Sequence, residues 1–382
     1  MISIMRSLRT LIITAFIPAL AGQFSVTAQE DQILVAAQID GKPATLGFDT
    51  GAESSCLFRG ATDRFGLKVS TMDFVEHCTL SFGKVLQTAT FEVVDSPYPS
   101  FHGNLAGLIG WTSVSNRVTQ LDAEKGGCRI SDEPSPGVEK WTRWKLVERS
   151  PVLIFERENG AIPLRIGVDT GFAGGIMLSP DRWQRWRKRR AGLPATVEAH
   201  SSIEGQLNAA ETFRAKKISV GDLTVTDVPV LEISPSLSAA FLNCDALLGL
   251  FVFRRLKLVV DGKNGVVYTR PLARPAGRYD YNPLGADFVP ANLQIPVDSN
   301  QPPELIACVI DGGPASRAGV KNGDVLLKAG NHDADEIWRG LLNRSEEARG
   351  WPPAGTKVKL TMSRNGQQYE TIVTLNNLQA VN

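Results

Sequence analysis

Short apolar runs broken by polar residues recur along most of the chain, as in Ile33-Leu34-Val35-Ala36-Ala37-Gln38-Ile39 and again from Lys216 to Val230. A period of two marks half-buried strands, so residues 29–272 are predicted to be mostly β. Turn chemistry agrees. Asp40-Gly41-Lys42 and Asn159-Gly160 fall where a hairpin should reverse, each just before a strand that ends in Asp-Thr-Gly. Helical spacing is local. Around Arg182 to Arg190 it puts Trp183 and Trp186 on one side, ready to dock on the second copy described below, and it returns around Ile337 to Leu342. Trp141 and Trp144 share the same spacing and are read as packing near the connection between the copies.

The strand pattern is written twice. Pro43-Ala-Thr-Leu-Gly-Phe-Asp-Thr-Gly51 matches Pro163-Leu-Arg-Ile-Gly-Val-Asp-Thr-Gly171, and Leu108-Ile109-Gly110 answers Leu247-Leu248-Gly249. Twelve residues separate Gly110 from Asp122 and Gly249 from Asp261, with a further glycine four positions on in each case, Gly126 and Gly265. Upstream, Leu80-Ser81-Phe82-Gly83 corresponds to Ile218-Ser219-Val220-Gly221. One Asp-Thr-Gly is expected by chance in about a tenth of chains of this length. Two in a common frame that extends this far mark duplicated domains, 29–142 and 143–272. They differ mainly between the aspartate and the upstream glycine, with 34 residues from Asp49 to Gly83 and 52 from Asp169 to Gly221.

Residues 273–280 read as a linker, and the pattern changes after it. At 382 residues the chain suits two or three domains. Arg6 and Arg9 precede an apolar run, Leu11 to Leu20, that is too short to span a bilayer comfortably, and small residues follow before Gln29. Residues 1–28 are therefore read as a signal peptide, which makes the protein periplasmic or secreted with no transmembrane span in the mature chain. Net charge is +1, or about −1 without Arg6 and Arg9, so no overall field favours nucleic acid. Five cysteines, Cys56, Cys78, Cys128, Cys244 and Cys308, form an odd set; export would permit a disulfide, and Cys56 and Cys78 are the nearest pair, but spacing does not set connectivity. No Cys/His spacing suggests a metal, and His77, His102, His200 and His332 are read as surface or hydrogen-bonded structural residues.

The candidate chemistry lies in Asp49 and Asp169. An aspartate at the end of an apolar strand, followed by Thr and Gly, sits at a tight turn where glycine permits close backbone approach. Two such carboxyls facing each other across a pseudo-twofold axis cannot both ionise freely, so the pair holds one proton between them. A half-ionised dyad acts as base and acid in one cycle: it polarises a water, directs it at a peptide carbonyl and returns a proton to the leaving nitrogen.

Each copy resembles a retropepsin-type aspartic protease subunit, through Asp49-Thr50-Gly51-Ala52 with Leu108-Ile109-Gly110 and through Asp169-Thr170-Gly171-Phe172 with Leu247-Leu248-Gly249. The resemblance implies a mainly β fold in which two retropepsin- or pepsin-like lobes form a fused pseudo-dimer, with Asp49 and Asp169 catalytic and no cofactor. It further implies that Thr50 and Thr170 interlock the loops closed by Gly51 and Gly171, while Gly110 and Gly249 pack beneath them. The sequence departs from the family in Phe172-Ala173-Gly174-Gly175, and neither Ala52 nor Phe172 supplies the hydroxyl usual after Asp-Thr-Gly in pepsin-like enzymes. The longer second copy is expected to supply the flap, with Ile203, Glu204 and Gly205 at its tip.

Residues 281–377, with Pro314-Ala-Ser-Arg-Ala-Gly-Val-Lys-Asn-Gly-Asp-Val-Leu326, resemble an α+β PDZ domain of the bacterial envelope type. That resemblance implies capture of peptide C-termini at Leu284, Gly285 and Ala286, with Ile337 and Leu341 lining the pocket for the last side chain. The resulting expectation is an exported endopeptidase acting on protein or peptide substrates. The alternative is an envelope peptide-binding protein whose lobes are a non-catalytic scaffold.

Overall fold

The computed structural model describes residues 28–29, 32–82, 85–95, 105–122, 127–134, 136–157, 162–190, 194–201, 207–273, 277–293, 295, 302–342 and 351–377. The fold is mainly β, with 25 strands and a few short helices among those residues. The signal-peptide region before residue 28, the expected flap tip at Ile203, Glu204 and Gly205, the Asn159-Gly160 turn, and Gly83 and Gly126 lie outside them.

The first copy starts with the hairpin Gln32–Ile39 and Lys42–Asp49, in which Ile39 faces Lys42. A two-residue turn that follows the strand twist needs positive φ at both central positions. Asp40 (φ 48°) and Gly41 (φ 76°) supply it. Beyond Lys42–Asp49 the sheet continues through Gly107–Gly110, Cys56–Phe58, Val85–Val94 and Phe74–Phe82, and the last of these pairs back onto Gln32–Ile39. The sheet thus closes on itself around Ile39, Leu46, Leu57, Leu80, Phe91 and Ile109, all fully buried.

The second copy repeats this core. Lys42–Asp49 runs parallel to Gly107–Gly110 with Asp49 opposite Gly110, and Leu164–Asp169 runs parallel to Ala246–Gly249 with Asp169 opposite Gly249. Cys56–Phe58 lies antiparallel to Gly107–Gly110 and parallel to Val85–Val94. Ile176–Leu178 relates in the same way to Ala246–Gly249 and Leu223–Glu232. The copies part company at their edges. The second belongs to a 12-stranded sheet whose far end is made by Val118–Asp122 and Gly127–Ser131 of the first, through pairing of Val118–Asp122 with Leu256–Asp261. Position 142/143 falls at the start of Thr142–Leu146, a strand inside this shared sheet. In the helix Pro180–Lys188, Trp183 is buried, stacks on Trp186 with ring centres 5.6 Å apart, and both meet Phe213 of the second copy.

The C-terminal region orders its strands Ala286–Pro290, Leu305–Val309, Val325–Ala329, Lys357–Arg364 and Gln367–Thr374, with helices Pro314–Arg317 and Ala334–Leu342. Asp324, from the Gly-Asp-Val-Leu run, is an internal anchor: it accepts from Arg364 Nε and Nη2 at 2.7 Å each and from Tyr369 Oη at 2.6 Å. Those partners hold its carboxyl at about 2, against the cost of burial. All five cysteines are free thiols, Cys56 and Cys78 included. No described helix is long and apolar enough to cross a membrane.

Candidate active site

The two Asp-Thr-Gly turns meet and are tied together reciprocally. Thr50 Oγ1 donates to the Val168 carbonyl at 2.8 Å and accepts from the Thr170 amide at 3.1 Å. Thr170 Oγ1 donates to the Phe48 carbonyl at 2.7 Å and accepts from the Thr50 amide at 3.0 Å. Both threonines are buried. A threonine hydroxyl gives one hydrogen bond and takes one, so each side chain here satisfies a carbonyl and an amide of the other copy that would otherwise be orphaned.

This brace sets Asp49 and Asp169 side by side. A Cβ placed on Gly51 would lie 2.7 Å from the Asp169 carboxyl carbon, and one on Gly171 would lie 2.5 Å from Asp49 Oδ2. Each glycine thus runs beneath the other copy's carboxyl. The Gly51 amide donates to Asp49 Oδ1 at 2.8 Å, while the amides of Gly171 and Phe172 donate to Asp169 Oδ1 at 2.9 and 3.1 Å. Amide donors favour the ionised form and burial opposes it. Burial is the larger influence on both and raises both above the ordinary carboxyl range. For Asp169 the charge of Asp49 adds to the rise. The outcome is a pair that keeps a shared proton to higher pH than an isolated aspartate would.

Gly110 and Gly249 lie directly beneath these loops. A Cβ on Gly110 would meet the Ser54 carbonyl oxygen at 2.5 Å, and one on Gly249 would meet the Gly174 carbonyl oxygen at 2.3 Å. Backbone bonds tie the same levels together, from Trp111 N to the Ala52 carbonyl at 2.8 Å and from Leu250 N to the Phe172 carbonyl at 2.7 Å. No side chain fits at either glycine while the loops stay where they are.

The peptide-binding candidates belong to the C-terminal region. Leu284, Gly285 and Ala286 lead into the first C-terminal strand, and the Leu284 amide already donates to Asn282 Oδ1 at 2.9 Å. Ile337 is half-buried in the helix that also carries Leu341. No group of three potential metal ligands occurs among the described residues. A cavity of about 580 Å³ between the helix Pro180–Lys188 and the C-terminal region is lined by neither aspartate.

Sequence reasoning missed His200. Taken as an ordinary structural histidine, it packs edge-on against Phe172, with ring centres 5.1 Å apart and planes at 83°. Its Nε2 is shut off from solvent with no hydrogen-bond partner, and burial pushes its pKa down to about 4, so the ring is neutral at physiological pH. A lone histidine on an alternating strand carries no signal of this contact, because 28 residues separate it from Phe172.

Comparison with family models and with curated proteins finds no match. Among solved structures, the chain is similar to an aspartic proteinase from Irpex lacteus, with a TM-score of 0.38 and 14% identity over 66% of this chain and 98% of that one.

Proposed function

We propose that the protein is an exported aspartic endopeptidase in which Asp49 and Asp169 together activate the water that hydrolyses a peptide bond. One observation carries this reading: two carboxyls with raised pKa values, braced face to face by reciprocal threonine bonds. Strained or perturbed pairs of this kind are costly to hold and cluster where chemistry is done. In the proposed cycle the ionised member of the pair takes a proton from water as the water oxygen attacks the carbonyl carbon. The protonated member donates to the carbonyl oxygen, and collapse of the tetrahedral species passes a proton to the departing amine. Export follows from the N-terminal segment, and recruitment of peptide C-termini follows from the PDZ resemblance of residues 281–377.

Incubation with an unfolded protein, with products read by mass spectrometry, tests the reading. Cleavage at discrete internal bonds that is insensitive to a metal chelator is the expected result, and an intact substrate overturns it.

The titration of the dyad makes a second measurable statement. Activity needs the singly protonated pair, so it rises as the first proton leaves and falls as the second does. Burial raises both carboxyls, and no hydroxyl from residue 52 or 172 offsets this. The descending limb of the pH–rate profile is therefore shifted upward, giving activity from mildly acidic to near-neutral pH. A profile that peaks in strong acid and is lost by pH ~5, close to where an ordinary aspartate has fully ionised, contradicts this account of the site.

A further inference from the structure

Strand Thr196–Ser201 lies at one end of the 12-stranded sheet and pairs only with Leu207–Val220. An edge strand presents unpaired backbone groups on its outer side. Here the C-terminal region meets them. Asn282 Nδ2 donates to the Val197 carbonyl at 3.3 Å, and the Ala199 amide donates to Asp287 Oδ2 at 2.7 Å. Thr196 Oγ1 donates to the Asn282 carbonyl at 2.7 Å, and at the start of the return strand the Leu207 amide donates to the Leu293 carbonyl at 2.8 Å. The anchors are themselves fixed, Asn282 by bonds to the Leu284 amide and the Ala286 carbonyl, and Asp287 by the Phe288 amide. Leu207 and Ala199 also join the apolar cluster that contains Leu284 and Phe288.

Side chains alternate along this strand, so Glu198 and His200 share the face opposite to Val197 and Ala199. Glu198 accepts from Tyr279 Oη at 3.0 Å and is pushed up to about 8, by burial first and by the nearby Asp287 carboxyl as well. His200, one residue beyond the amide that Asp287 holds, is the side chain packed on Phe172. The Phe172 amide in turn donates to the Asp169 carboxyl. Direct contacts therefore run without a gap from the C-terminal region to the dyad.

We infer that Asn282 and Asp287 are positioning residues: by holding the outer edge of Thr196–Ser201 they keep His200 against Phe172 and thereby fix the loop that orients Asp169. The C-terminal region is then a working part of the catalytic scaffold and not only a tether for substrates. If the effect passes along this single run of contacts, breaking two links does little more than breaking one, so the single changes are non-additive. The kinetic arm of the test rests on the peptidase reading, and the exchange arm does not.

Amide hydrogen exchange on the full chain, compared with kcat and KM for a peptide, tests this in Asp287→Ala, His200→Ala and the double variant. Each single change is expected to speed exchange at Gly171 and Phe172 on the order of tenfold, with Gly51 and Ala52 unchanged. The double variant is expected to be no worse than either single one. In the same variants kcat falls on the order of ten- to a hundredfold with KM near wild type, the mark of a misplaced catalytic group. Asp287→Asn, which retains an acceptor oxygen, restores most of both. Unchanged exchange at Gly171 and Phe172, additive single effects, or faster exchange throughout the chain each overturn the inference. Asn282→Ala carries the same comparison if Asp287→Ala does not fold. A wild type that cleaves nothing but shows the exchange coupling removes the peptidase reading and leaves the clamp standing; a wild type that cleaves, with exchange unaltered by the variants, does the reverse.

Discussion

On the proposed function, Asp49→Asn and Asp169→Asn are each expected to reduce peptide hydrolysis on the order of 10³-fold or more without loss of the fold. In the proposed cycle either amide would remove both the group that takes the proton from water and the proton shared across the pair, so the two variants should fall together although they lie in different copies. The fold survives because asparagine keeps an oxygen where the Gly51 amide finds Asp49 and where the Gly171 and Phe172 amides find Asp169. Stability changes in the opposite sense to activity. Burial, and for Asp169 the neighbouring Asp49 charge, disfavours the ionised carboxyl, so a neutral amide removes a penalty that grows as pH rises through the ordinary carboxyl range. Thermal melting at neutral pH, read beside turnover, should show an unchanged or higher Tm in both variants. Near-wild-type turnover in either one defeats the two-carboxyl mechanism.

Thr170→Val is the second large effect. Valine matches the shape of threonine, but it strands the Phe48 carbonyl and the Thr50 amide, both of which Thr170 Oγ1 satisfies in a buried setting. Leaving a buried polar group without a partner costs about 1–3 kcal/mol, so two such groups cost about 2–6 kcal/mol, a large part of the 5–15 kcal/mol that holds a typical domain together. Thr170→Ser keeps the hydroxyl and should recover most of that loss. Thr50→Val does the same from the other side, on the Val168 carbonyl and the Thr170 amide. Chemical denaturation of these three variants and of Thr50→Ser separates the brace from mere packing. Equal stability for valine and serine at either position would show that the hydroxyls contribute little.

The local parts of this arrangement were legible in the sequence because they rest on residues with a single job. Asp40-Gly41 supplies the positive φ of a two-residue turn. Gly110 and Gly249 leave room for backbone that passes within 3 Å of where a Cβ would be. A glycine or a turn residue of this kind can be read wherever it stands. The distant parts were not legible, for a physical reason. The pairing of Val118–Asp122 with Leu256–Asp261 joins segments more than 130 residues apart, and any alternating strand would satisfy the same pattern. The capping of Val197 and Ala199 by Asn282 and Asp287 uses ordinary polar residues of a loop and a strand, with nothing in their spacing to name their partners. His200 and Phe172 meet only where strand Thr196–Ser201 and the second Asp-Thr-Gly loop come together in space.

Fusion of the two copies frees them from a constraint that binds any assembly of identical chains, in which every substitution appears on both sides of the axis. Ala52 and Phe172 occupy matching places after Gly51 and Gly171, yet one is small and the other bulky. The Phe172 ring fits only because Gly174 and Gly249 leave it space: a Cβ on either would come within 2.3 Å and 2.5 Å of ring atoms. The matching stretch of the first copy carries Ser54 where the second has Gly174. The two flanks of the dyad are therefore unlike, and on the proposed function an extended peptide lying across it meets a different wall on its amino side than on its carboxyl side. Such a site has a built-in direction, which a symmetric pair of identical chains cannot have until a substrate breaks the symmetry for it.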